Sequence, residues 1–271
     1  MNFRKGAYPD WVAYEPALLP PPALMREEGI TVLEDWFRWA EEWSMLLRVY
    51  GRLGHASDVL EIGCGLGRIA FAIRYLLTHG QYTGFEIVRS KVEFLQRTFH
   101  PTHPHFRFVW ADVANTYYNP GGGQPAASYR FPADDASQDL VFAASVLTHM
   151  APEAAMHYVG ECARVLRPGG RCLLSVFLLD HYRPGQPRPS VFGRPAFDFA
   201  HRDPAWGDDF AFVVPHNREQ MTAFSRAFLA RAGTAAGFEV VEVVPGMWSG
   251  SQAPWVSTQD LLVLQRRPGD R

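Results

Sequence analysis

Residues 59–67 read Val59-Leu60-Glu61-Ile62-Gly63-Cys64-Gly65-Leu66-Gly67, an apolar run that ends in a carboxylate and three alternating glycines. Glycines so spaced let the backbone take positive φ and approach a ligand closely. The following Arg68-Ile69-Ala70-Phe71-Ala72-Ile73 has helical patterning, with N-terminal amides that would face that ligand. The pattern is how a strand hands a nucleotide-like ligand to a helix. A dinucleotide fingerprint counted from Gly63 and Gly65 needs its third glycine at position 68, where Arg68 stands. Glu61 argues the same way, because a carboxylate beside the turn repels a diphosphate and suits a ligand that carries an ammonium and a sulfonium.

Four more segments follow in order. Tyr82-Thr83-Gly84-Phe85-Glu86-Ile87 reads as a second strand ending in an acid, and a carboxylate is the natural bidentate acceptor for a vicinal diol. Phe106-Arg107-Phe108-Val109-Trp110-Ala111-Asp112-Val113 reads as a third strand, and residues 138–145 as a fourth that runs into Val146-Leu147-Thr148-His149-Met150. Residues 161–177 read as a helix, a Pro168-Gly169-Gly170 turn and a fifth strand.

Together these segments resemble the class I S-adenosylmethionine-dependent methyltransferases, whose first motif is a strand ending E/D-x-G-x-G-x-G. The resemblance implies S-adenosylmethionine as cofactor, with Glu86 on both ribose hydroxyls and Asp112 on the adenine amino group. It implies a cofactor site of Glu61, Gly63, Cys64, Gly65, Gly67, Arg68, Glu86, Ile87, Asp112, Val113, Ala144 and Ser145. The implied fold is α/β: a doubly wound, mostly parallel seven-stranded sheet of Rossmann-like methyltransferase type, with an N-terminal helical extension and lid-like insertions.

Methyl transfer is an in-line displacement at an already activated carbon, so the protein supplies alignment, exclusion of water and, for a hydroxyl acceptor, a base. His149, just past the fourth strand, is the first candidate, since imidazole titrates near neutrality; packing beneath the cofactor is its plainer role. His181 is the second candidate, and Asp180 would not orient it on a strand, where adjacent side chains point apart. His100, His103 and His105 lie among Pro101 and Pro104 without a carboxylate or cysteine at usable spacing, so no metal site is expected. Cys64, Cys162 and Cys172 lack C-x-x-C spacing and are expected as reduced thiols, with Cys64 in the loop for its small size.

The elements that must hold these residues fit one domain. At 271 residues the chain is long enough for one α/β domain with insertions. The alternation of strands and helices from about residue 58 to 177 gives βαβ units and a parallel sheet. The expected division is 1–54 as an N-terminal strap and helical cap and 55–271 as the cofactor-binding domain, with insertions at 115–137 and 182–214. In the cap, the aromatic and aliphatic residues between Val32 and Tyr50 recur at helical spacing, either as a core stripe or as the wall of an acceptor pocket. Pro16, Pro20, Pro21 and Pro22 suggest an extended strap. Residues 219–236 are patterned as the last helix, before two antiparallel strands near 238–244 and 260–264. Trp248 is open between lining the acceptor pocket and plugging the sheet edge.

A net charge of −2 with 47% hydrophobic residues gives no basic footprint for nucleic acid. Nothing approaches the roughly 20 apolar residues of a membrane span, and no signal peptide is legible. A cytoplasmic enzyme acting on a small molecule is therefore expected, with a homodimer compatible. The expected reaction is O-methylation of a bacterial secondary or envelope metabolite. N- or C-methylation, or a non-catalytic S-adenosylmethionine-binding regulatory or scaffold subunit, are the alternatives.

Overall fold

The computed structural model describes residues 15–185, 196–250 and 254–269. A 3-10 turn at Pro16–Leu18 and helix α1 (Pro22–Glu27) open it, where the prolines suggested an extended strap. Pro22 occupies the first helical position, where a missing N–H costs nothing and the fixed φ is already helical. Helix α2 (Leu33–Val49) follows, burying Trp36, Ala40, Trp43, Leu46 and Leu47 along one stripe.

The alternating unit then runs β1 (Val59–Ile62), α3 (Arg68–Ile73), β2 (Tyr82–Glu86), α4 (Arg89–Phe99) and β3 (Phe106–Trp110). A short parallel pair, β4 (Val113–Ala114) and β5 (Gln124–Pro125), occupies the first insertion. β6 (Gln138–Ala143), α5 (Pro152–Val165) and β7 (Leu166–Val176) complete the parallel part. The expected Pro168-Gly169-Gly170 turn lies inside β7 as an irregular start: Gly169 has φ +83° and the register against β6 shifts between Gln138 and Leu140.

The second insertion carries β8 (His201–Arg202) and β9 (Phe210–Val214), which join β10 (Asn217–Phe224) in an antiparallel three-stranded sheet. This corrects the reading of 219–236 as helix. The helix, α6 (Arg226–Ala235), begins only at Ser225, whose hydroxyl accepts the Phe228 N–H at 2.9 Å. Upstream, residues 222–224 pair with 210–212, and that pairing overrides the local helical pattern. The lid expected at 182–214 is thus partly a sheet, although positions 186–195 lie outside the described residues.

β11 (Phe238–Val244) and β12 (Asp260–Arg266) close a seven-stranded sheet of order β11-β12-β7-β6-β1-β2-β3, with β12 antiparallel to both neighbours. One face is packed with Trp36, Trp43, Ile69, Phe71 and Leu95 from α2, α3 and α4. The other takes Ala155, Val159, Phe228 and Leu229 from α5 and α6. The small sheet covers a third cluster, where Trp248 is 1% exposed among Phe177 and Phe199. Trp248 therefore plugs the sheet edge. Among the described residues no helix is long and apolar enough to cross a membrane.

Candidate functional site

Chain crossovers leave β1 toward β2 on one side and β6 toward β7 on the other, so the carboxyl ends of β1 and β6 border an open crevice. A cavity of about 390 Å³ sits there, in the range of small-ligand sites. Glu61, Gly63, Cys64, Gly65, Arg68, Glu86, Ile87, Val113, Ala144, Ser145 and His149 all line it. Eleven of the fourteen positions singled out from sequence thus reach one wall, although they are spread over five segments.

The glycine loop is shaped from within. Gly63, Gly65 and Gly67 have φ of +67°, +53° and +74°. A Cβ on Gly63 would lie 2.6 Å from Val146 Cγ2, and one on Gly67 2.4 Å from Leu95 Cδ2. Gly67 itself packs against α4 and does not line the cavity. Four of the five loop amides bond the protein: Gly63 and Cys64 donate to the Phe85 carbonyl at 2.9 and 3.1 Å, Gly67 to the Cys64 carbonyl at 2.8 Å, and Gly65 to Glu86 Oε2 at 2.9 Å. With these amides turned inward and α3 only six residues long, the loop is a poor cradle for a diphosphate, and a ligand there must be gripped by side chains.

Glu86 offers such a grip. Its Oε1 accepts the Ile87 and Val88 N–H groups at 2.8 and 2.9 Å, and Oε2 accepts Gly65. Three of the roughly four lone-pair sites of the carboxylate are filled, which fixes its plane at the cavity wall. Glu61 is 2% exposed and accepts the Tyr82 hydroxyl, and burial pushes its carboxyl up to about 8. Asp112 stands outside the lining: its carbonyl accepts Gln124 N–H at 2.9 Å, and its carboxylate faces Gly123, where a Cβ would sit 2.8 Å away. Cys64 is buried with its thiol raised by desolvation, which is the behaviour of a packing residue.

The two histidines separate. His149 closes a 3-10 turn, stacks on Tyr117 at 5.9 Å between ring centres, and has Nε2 3.4 Å from the Tyr118 hydroxyl. His181 does not reach the cavity. Its Nδ1 is 2.8 Å from Oδ1 of the fully buried Asp260, which also accepts N–H groups from Gly246, Leu178 and Trp248 Nε1. That bond raises the His181 pKa and ties β7 to β12. Asp180 instead accepts the Arg226 amide at 2.7 Å, so the two neighbours do point apart. His103 and His105 bond the Thr102 hydroxyl and the Leu77 carbonyl, and His103 is buried.

The remaining wall comes partly from segments that the sequence offered as cover, the N-terminal helix and the 182–214 insertion, and partly from residues that it did not single out. Glu28 pairs with Lys91 at 2.9 Å over the glycine loop, close enough that a Cβ on Gly65 would meet it at 2.8 Å. Burial would lower the Lys91 ammonium, but Glu28 and Glu86 outweigh it and the net shift is upward. Tyr117 and Tyr118 come from the first insertion, Phe197 and Val213 from the second, and Met221 from β10. The insertions are clasped where the Thr116 N–H donates to Glu219 Oε2 at 2.7 Å. Met221 (φ +64°) and Ser145 (φ +59°) hold left-handed backbone at the lining, a conformation that clusters at functional sites. Trp39 lines the cavity while Trp36 and Trp43, on the same helix, are core, so α2 serves as both stripe and wall.

Residues 59–170 match the family of methyltransferase domains. A Mycolicibacterium smegmatis protein named probable S-adenosylmethionine-dependent methyltransferase is 30% identical over 177 residues, covering 64% of this chain and 58% of its own length. The 27-O-demethylrifamycin SV methyltransferase of Amycolatopsis mediterranei is 36% identical over 122 residues, 45% of this chain and 39% of that one. This chain thus spans about half the length of these curated relatives. The structure of S-adenosylmethionine-bound CalS10, an amino pentose methyltransferase of Micromonospora echinaspora, superposes with a TM-score of 0.56 at 14% identity, covering 92% of this chain and 98% of that one, and shares the fold.

Proposed function

We propose that this chain, which resembles the class I S-adenosylmethionine-dependent methyltransferases over residues 59–170, methylates a small molecule, on oxygen, with S-adenosylmethionine as the donor. The observation that carries the reading is the single cavity in which an acid-and-glycine wall (Glu61, Gly63, Gly65, Glu86) faces an aromatic and apolar wall (Tyr117, Tyr118, Phe197, Val213, Met221), with His149 among them. The first wall has the acceptors for a ribose diol and an ammonium; Glu86 would take the diol at the one lone-pair site left on Oε2, and Glu61 the ammonium. When bound there, S-adenosylmethionine supplies a methyl group on a sulfonium. Asp112 would reach the adenine amino group only from beside the lining.

The second wall excludes water and orients the acceptor. His149 accepts the acceptor hydroxyl's proton on Nε2, whose 3.4 Å contact with Tyr118 is long enough for a substrate oxygen to replace. Burial pushes the Tyr118 phenol up to about 12, so it stays neutral and acts only as a hydrogen-bond partner. Residues 1–54 act as a cap and 55–271 as the methyltransferase unit. A cavity of about 390 Å³ and a net charge of −2 favour a small acceptor over nucleic acid. The Amycolatopsis relative, a 27-O-demethylrifamycin SV methyltransferase by name, supports a small-molecule acceptor.

The test is incubation of the purified protein with methyl-labelled S-adenosylmethionine and a panel of hydroxylated metabolites. S-adenosylhomocysteine formed in step with a labelled product supports the reading. Tight S-adenosylhomocysteine binding with no turnover on any acceptor would favour a non-catalytic binding role instead.

A further inference from the structure

Two side chains of the cavity wall carry hydrogen-bonding capacity that the fold leaves unused. Gln259 is 4% exposed, lines the cavity, and its buried Oε1 has no partner. Arg68 also lines the cavity, and its Nε–H is buried without a partner. Both belong to one region. The Arg68 guanidinium lies 5.1 Å from the centre of the Trp39 ring; one helical turn on, Glu42 accepts the hydroxyl of Ser257, two residues before Gln259, at 2.6 Å. Glu42, Glu28 and Glu61 lie close enough to act on the Arg68 charge, but they bond Ser257, Lys91 and Tyr82, and none accepts the Arg68 Nε–H. Gln259 cannot relax to find a partner. Its neighbour Asp260 is held by four donors, and the backbone of Gly246 passes so close that a Cβ there would lie 2.3 Å from the Gln259 carbonyl carbon.

A buried guanidinium N–H calls for an acceptor, best an anionic one, and a buried amide oxygen calls for a donor. We propose that Arg68 and Gln259 form a subsite for a ligand group that presents a carboxylate beside a hydrogen-bond donor, the pattern of an α-amino or α-hydroxy acid. Arg68 takes the carboxylate and Gln259 Oε1 the adjacent N–H or O–H. The inference rests on the cofactor reading above, and the group has two possible sources, the amino-acid end of the cofactor or the acceptor.

Calorimetric titration of wild type, Arg68→Met and Gln259→Met with S-adenosylhomocysteine and with 5′-methylthioadenosine, which lacks the amino-acid end, separates them. Since nothing in the unliganded protein bonds Gln259 Oε1, Gln259→Met should melt no lower than wild type, which keeps the test open even if Arg68→Met fails to fold. A loss of at least tenfold for S-adenosylhomocysteine, with methylthioadenosine unchanged, assigns the subsite to the cofactor. Unchanged affinity for both nucleosides, with lactate binding to the S-adenosylhomocysteine-loaded wild type and lost in the variants, assigns it to the acceptor. Equal weakening of both nucleosides, or no change together with no lactate binding, overturns the proposal. Failure of wild type to bind either nucleoside overturns the cofactor reading instead.

Discussion

Glu61 gives a pH dependence with a definite sign. Its carboxyl is raised from 4.5 to about 8, mainly by burial, with the Tyr82 hydroxyl and Arg68 pulling the other way. In the unliganded protein at pH 6 only about one molecule in a hundred then carries Glu61 as the anion that an ammonium needs. Each pH unit below 8 should therefore weaken S-adenosylhomocysteine binding about tenfold, or ~1.4 kcal/mol, and binding near pH 6.5 should release close to one proton. Titration calorimetry from pH 6 to 8.5, in two buffers of different ionisation enthalpy, reads both quantities. The folded pKa exceeds the unfolded one, so Glu61 contributes stability fully below about pH 4.5 and loses it as pH rises through about 8. The unliganded melting temperature should fall over that window, and Glu61→Gln should flatten the Glu61 contribution to both profiles. A wild-type affinity that stays constant from pH 6 to 8 would refute the argument, because Glu61 would then not meet the ligand's charge.

Glu86→Ala should lower S-adenosylhomocysteine affinity at least tenfold by removing charge-assisted bonds of about 1.5–3 kcal/mol each; it should also lower the melting temperature, since the N–H groups of Gly65, Ile87 and Val88 lose their acceptor. An unchanged dissociation constant in the folded variant would remove Glu86 from the diol. His149→Ala should keep cofactor affinity and lose about 10²–10⁴-fold in kcat, the range of general base catalysis; full activity across pH would leave alignment alone as the source of rate. His181→Ala should leave cofactor affinity untouched and lower stability below neutral pH, where the raised His181 is charged against Asp260; as pH rises through that pKa the difference from wild type should shrink, which melting curves from pH 5 to 8 test.

The parallel half of the sheet and the acid-and-glycine wall of the cavity were legible because their signals are local. Apolar strands ending in Glu61 and Glu86, and glycines whose positive φ is needed within three residues of each other, can be read without knowing what lies across the fold. The same logic failed at residues 219–224, where a helical pattern lost to pairing with β9, a partner the sequence does not point to. It could separate His181 from Asp180 but not find the partner of His181, Asp260, 79 positions away. The acceptor side escaped for that reason: Glu28, Tyr118, Met221 and Gln259 meet only because four separate segments fold over one crevice. Trp248 illustrates the limit, because its burial under the small sheet depends on Phe177 and Phe199 arriving from elsewhere.

The central claim is that this cavity takes S-adenosylmethionine rather than a dinucleotide, and a calorimetric titration of the purified chain with S-adenosylhomocysteine and with NAD tests it directly. The account predicts one-to-one binding of S-adenosylhomocysteine and no heat from NAD, given Arg68 at the third-glycine position, loop amides committed to Phe85 and Glu86, and Glu61 at the turn. Saturable NAD binding without S-adenosylhomocysteine binding would contradict it.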